Sequence, residues 1–130
     1  MLILREGRFV AQEEVPLLDP SLLNSIRSLT KPGEKDFLGT LMDMFFKRAP
    51  ELITQIEGSF AARDADSFER SSHALKGTCG NLGAVSMMKL CEKMEHIGKG
   101  GDLNLVGSSI QDLQLIYARV RDALERDWRS

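Results

Sequence analysis

Leu38, Leu41, Phe45, Ala49, Leu52, Ile56 and Phe60 follow one another at steps of three or four residues. That spacing constrains the fold most, because only an α-helix brings such positions onto one face, and the face must then be buried against a second element. Phe68, Ser72, Leu75, Cys79 and Leu82 form a narrow seam of the same kind. Val85, Met87, Met88, Leu90, Cys91, Met94 and Ile97 form a third set, and Leu103, Val106, Ile110, Leu113, Tyr117, Val120 and Leu124 a fourth. No stretch alternates β-branched or aromatic residues with polar ones long enough to argue for a strand. The expected fold class is all-α.

Punctuation along the chain divides the pattern. Asp19-Pro20-Ser21 is a helix start, since the Asp oxygen accepts from a free backbone N–H and proline loses nothing at the first helical position. Leu22, Leu23, Ile26 and Leu29 would line that short helix, with Lys31-Pro32-Gly33 ending it. The pattern from Leu38 to Phe60 runs through Pro50 without change of phase, which predicts one long kinked helix or two helices meeting there. Arg63-Asp64-Ala65-Asp66 supplies the next turn and a cap, Glu69 standing three residues after Asp66 as in a capping box. Gly83 closes the third helix, and Gly98-Lys99-Gly100-Gly101 is read as the loop ending the fourth. A last helix from Asp102 to about Asp127 is expected to be the longest. Short loops force neighbours to run antiparallel, giving an up-down-up-down four-helix bundle over residues 19–130 with the short first helix as a lid. Residues 1–18 read as an arm or linker.

At 130 residues the chain suits one domain. Seventeen Lys and Arg against nineteen Asp and Glu give a net charge of -2, too little positive field for nucleic acid. No run of about eighteen apolar residues offers a membrane span, and the start lacks a signal peptide's long apolar stretch. The reading is therefore a cytoplasmic, monomeric domain without membrane contact of its own. Cys79 and Cys91 fall on apolar stripes, as reduced buried thiols do, although one bridge is arithmetically allowed. Together with His96 they match no usual zinc spacing, so no metal is expected. His96 itself suits the end of its helix, where a cation favours the dipole. Phe37 and Met44 fall off the main stripe of their helix, to be covered by the first helix or exposed toward a partner.

Residues 73–84, HALKGTCGNLGA, are the informative stretch. With Phe68 at zero on a wheel of about 100° per residue, His73 falls at about 140°, Lys76 at about 80°, Gly77 at about 180° and Gly80 at about 120°. A histidine, a lysine and two glycines thus share the face that the core does not use. Each interior glycine costs about 1 kcal/mol relative to alanine, with no core packing on that side to require it. The simplest physical reading is a docking site, where a second molecule comes close to backbone that side chains at 77 and 80 would block. An exposed imidazole is substantially neutral near neutral pH and leaves one ring nitrogen free as a nucleophile. It can accept a phosphoryl group, with Lys76 one turn along to balance the charge. No phosphate loop, Walker lysine or kinase signature is present, so the donor has to be another protein.

His73, Leu75, Lys76, Gly77 and Gly83 resemble the motif of histidine-containing phosphotransfer (HPt) domains of two-component phosphorelays. Phe37-Leu38, Phe45, Ala49-Pro50-Glu51-Leu52, the Asp64 turn, Leu90-Cys91 and Met94-Glu95 extend the resemblance over about residues 17–124. The resemblance implies a four-helix bundle whose His73 takes a phosphoryl group from a receiver-domain aspartate and returns it to another receiver. It implies no ATP site or cofactor on the chain, a magnesium ion on the partner receiver, and a carrier more than an enzyme. Such domains often form the C-terminal module of hybrid, membrane-tethered sensor kinases, which would make residues 1–18 the remnant of a linker. Ser72 stands where the family commonly has alanine. Gly83 is read as serving the turn. The alternative is a noncatalytic bundle that only binds a signalling protein, and a weaker one is a metal- or haem-binding bundle.

Overall fold

The computed structural model describes residues 15–130 in full and, ahead of them, the backbone of two strands, β1 (Leu2–Arg5) and β2 (Arg8–Ala11). Five α-helices follow: α1 (Pro20–Arg27), α2 (Phe37–Ala61), α3 (Ala65–Gly80), α4 (Val85–Gly100) and α5 (Ser109–Asp127), with a single 3-10 turn at Leu103–Val106. Packing of α2 on α3, α3 on α4, α4 on α5 and α5 on α2 closes a four-helix bundle, and α1 lies on α2. The all-α class therefore holds for the bundle. The strands pair antiparallel, Leu2 opposite Ala11 and Arg5 opposite Arg8, a correction to the expectation of no strand. Two residues of sequence ending in Gly7 separate them, and that spacing is itself a hairpin signal. The remainder of the arm reading, at Met1, residues 6–7 and residues 12–14, lies outside the described residues.

The helices begin where short acidic side chains meet free backbone N–H groups. Asp19 accepts from Leu22 N, Asp36 from Gly39 N and Asp64 from Ser67 N. Asp64, two residues earlier than expected, therefore caps α3; it also binds the Ser67 hydroxyl at 2.7 Å. Helix α4 has no side-chain cap. The segment before α1 substitutes for one, as the carbonyls of Leu17 and Pro16 accept from Val85 N and Ser86 N at 3.1 Å. Residues 15–18, read as the end of an arm, thus lie on the α3–α4 turn. At that turn Gly83 has φ +70, and a Cβ there would sit 2.9 Å from Asp19 Cβ, so the position needs glycine twice over.

Helix α2 is unbroken across Pro50, which faces solvent. Its buried face includes Leu38, Met42, Phe45, Ala49, Leu52, Ile53 and Ile56. The seam of Phe68, Ser72, Leu75 and Cys79 on α3, continued by Leu82 in the turn after it, is buried throughout. Three expectations are corrected. The segment after Asp102 is a 3-10 turn and then α5, broken at Gly107 with φ +55, so α2, at 25 residues, is the longest helix. Gly98 belongs to the interior of α4 and the chain turns only at Gly101, φ +83. Leu29 lies beyond α1 and is exposed. Trp128, half-buried near the C-terminus, packs on the core with the Arg27 guanidinium 4.6 Å above its ring. Among the described residues no helix is long and apolar enough to cross a membrane.

Candidate functional site

The seam that buries Leu75 and Cys79 turns His73 outward, since it lies on the far side of α3 from the core. His73 keeps 66% of its side-chain surface exposed. Gly77, one turn on, is bare: an added Cβ would meet nothing within 4 Å. Gly80, expected on the same strip, is half-buried, and its Cβ would be in ordinary contact with Met88 Sδ at 3.6 Å. The open backbone beside the histidine is centred on Gly77.

The group that organises the site comes from the neighbouring helix. Glu95 of α4 is buried, with 6% of its side chain exposed. Its Oε2 lies 2.7 Å from His73 Nδ1, and its Oε1 accepts from Lys76 Nζ at 2.6 Å. Lys99 Nζ stands 3.9 Å from Oε2. The carboxylate reaches α3 because the two helices touch at Gly98, three residues after Glu95. A Cβ at that position would sit 2.9 Å from the Glu69 backbone. Sequence reasoning passed over both Glu95 and Lys99. The available signal was a carboxylate beside the stripe of Cys91 and Met94, a place where an unpaired charge is costly.

The electrostatics set a proton. The Lys76 hydrogen bond holds the Glu95 carboxyl below the usual carboxylate range against the opposing effect of burial, with the His73 contact adding to it. In return Glu95 raises the Lys76 ammonium above its ordinary value. An ionised carboxylate only accepts, so the proton in the 2.7 Å contact sits on Nδ1. The lone pair of neutral His73 is then on Nε2, on the side of the ring away from Glu95.

Other expected positions fall outside this cluster. Cys79 and Cys91 are buried free thiols in the core, and a hydrogen bond to Cys91, together with burial, pushes the Cys79 thiol far up. His96 is exposed on α4, away from the core. Phe37 and Met44 are both exposed. Met44 lines a groove of about 410 Å³ between α2 and α3, with Phe45, Lys47 and Thr78 among its walls.

Fold and site together define a helical bundle that displays one histidine on its solvent face, steadied from behind by a buried carboxylate. The chain belongs to the Hpt domain family, whose model matches residues 40–123. It is similar to Multistep phosphorelay regulator 1 of Schizosaccharomyces pombe, 24% identical over 86 residues that make up 66% of this chain and 29% of that protein. It is also similar to Phosphorelay intermediate protein YPD1 of Candida albicans, 20% identical over 109 residues, 84% of this chain and 58% of that one. The chain thus spans between about a third and three-fifths of these relatives. Among solved structures, histidine-containing phosphotransfer protein B of Pseudomonas aeruginosa superposes with a TM-score of 0.79 at 25% identity, covering 86% of this chain and 94% of that one. The phosphotransfer protein MtHPt2 of Medicago truncatula shares the fold, with a TM-score of 0.74 at 20% identity and coverage of 84% and 75%.

Proposed function

We propose that this chain carries phosphoryl groups between proteins: His73 accepts one from the aspartyl phosphate of a receiver domain and passes it to the aspartate of another. The observation that carries the reading is the exposed imidazole with Nδ1 tied to Glu95 beside the open backbone at Gly77. In the forward step the Nε2 lone pair attacks phosphorus, the P–O bond to the aspartyl group breaks, and the receiver's carboxylate leaves with that electron pair. The Nε2–P bond forms while Nδ1 keeps its proton. The ring thereby becomes a phosphoimidazolium, whose positive charge lies 2.7 Å from the Glu95 carboxylate. The reverse step runs through the same atoms, and because Nδ1 keeps its proton throughout, Glu95 serves only as a hydrogen-bond acceptor.

Glu95 is a positioning residue: it fixes the tautomer and the ring without touching phosphorus. Docking is supported by bare Gly77 and by the groove along α2 and α3, where exposed Met44 offers apolar contact beside Lys47. Gly80 lies at the edge of that surface. With a receiver phosphorylated in the presence of magnesium, the wild-type chain should gain acid-labile phosphate and His73→Gln should gain none. Phosphate on His73→Gln, or phosphate stable to acid, would overturn the proposal.

A further inference from the structure

We infer that Lys99, rather than Lys76, is the cation that engages the phosphoryl group on His73. The inference rests on the phosphoacceptor reading above and adds to it which of two nearby ammonium groups meets the phosphoryl oxygens.

Two lysines and a histidine surround one carboxylate. Lys76 lies in a charge-assisted bond of 2.6 Å, with 31% of its side chain exposed. Moving it away would strand a carboxylate that is 6% exposed, and uncompensated buried charge is strongly unfavourable. Glu92, on the same face of α4, also acts on Lys76. The Lys76 charge is therefore already matched.

Lys99 differs on each count. Its Nζ is 3.9 Å from Glu95 Oε2, beyond hydrogen-bonding distance, and 56% of its side chain is exposed. It loses little by moving, and its flexible four-carbon stem lets the ammonium swing. The oxygen it faces is the one that holds His73 Nδ1, which places it on the imidazole side of the carboxylate. With Lys76 matched by Glu95 at 2.6 Å and by Glu92, Lys99 is the more loosely held of the two ammonium groups. A phosphoryl group on Nε2 brings about two negative charges. In the transfer state that charge is spread over three equatorial oxygens, where a nearby cation lowers the barrier. The same ammonium serves acceptance and release, because both pass through that state. The bland account of Lys99 is a cation in the last turn of α4, favourable to the helix dipole. It predicts an effect on stability and none on phosphorus.

The test uses phosphoramidate, a small donor that transfers its phosphoryl group to an imidazole nitrogen with loss of ammonia. Wild type, Lys99→Gln, Lys99→Arg, Lys76→Gln and His73→Gln are phosphorylated in parallel. Readouts are initial rates, the 31P resonance of the phosphohistidine, and the 15N tautomer pattern of His73. Loss of a charged hydrogen bond predicts about a tenfold to hundredfold slower reaction in Lys99→Gln, a displaced 31P resonance, an unchanged tautomer pattern, and recovery in Lys99→Arg. Lys76→Gln is expected to disturb the tautomer pattern. Wild-type rate and resonance in Lys99→Gln, with His73→Gln inert, would overturn this inference and leave the phosphoacceptor reading standing. A slowed Lys99→Gln with an altered tautomer pattern or fold would also overturn it, by making Lys99 structural. Phosphate on His73→Gln would instead remove the underlying reading.

Discussion

Gly77 and Gly98 look alike to a propensity scale, so replacing each with alanine separates what the helix prefers from what its surroundings allow. In an exposed helix interior the change gains about 1 kcal/mol. At Gly77 a Cβ meets nothing within 4 Å, and the whole gain is realised. Gly77→Ala should raise the unfolding free energy by about 1 kcal/mol, or the melting temperature by about 4 °C for a domain of this size. At Gly98 the new carbon would lie 2.9 Å from the N, Cα and Cβ of Glu69. Backbone atoms cannot swing aside, so α3 and α4 must separate. Overpacking of that kind costs about 1–3 kcal/mol, which offsets or exceeds the propensity gain. The two variants should therefore differ by about 1–3 kcal/mol, read from urea unfolding followed by circular dichroism. Function should run the other way: Gly77→Ala, though more stable, should transfer phosphoryl groups more slowly, and Gly77→Leu more slowly still. Equal stability gains at both sites would refute the close approach at Gly98. Wild-type transfer by Gly77→Leu would refute the claim that the bare backbone exists for a partner.

Ser72, immediately before His73, has a fully buried hydroxyl with no hydrogen-bond partner, so Ser72→Ala should leave stability unchanged or raise it by about 1–2 kcal/mol in the same unfolding assay. Asp64→Ala removes the acceptor for Ser67 N and should cost about 1 kcal/mol. Because the Lys76 hydrogen bond lowers the folded Glu95 carboxyl below its ordinary value, its contribution is complete above the unfolded value and is lost as pH falls through the folded one. Stability measured from neutrality to pH 3 should fall less steeply in Glu95→Gln than in wild type. Cys79 and Cys91 should react with a thiol reagent only as the chain unfolds, given full burial and the raised Cys79 thiol; prompt reaction in the folded state would contradict their place in the core.

Local periodicity made much of this protein legible. The steps of three and four predicted the bundle and placed α2, α3 and α4, and a wheel over residues 68–82 set His73 apart from its own core seam. These are properties within one helix, where 3.6 residues per turn fixes which neighbours share a face. Helix ends were less legible, because Asp64 and Asp66 have the same chemistry and only the backbone geometry selects Asp64. The break at Gly107 and the packing of half-buried Trp128 on the core likewise follow from how segments meet, and no local pattern records that.

The sequence by itself therefore determined the helices, the outward histidine and the missing side chain at Gly77. Only the tertiary structure decided that Glu95, twenty-two residues from His73, sets the imidazole tautomer, that Lys76 is committed to that carboxylate, and that Lys99 stands more loosely beside it at 3.9 Å. The physical reason is that a hydrogen bond between two helices depends on their separation. At Gly98 that separation leaves no room for a side chain, since a Cβ there would sit 2.9 Å from the backbone of Glu69.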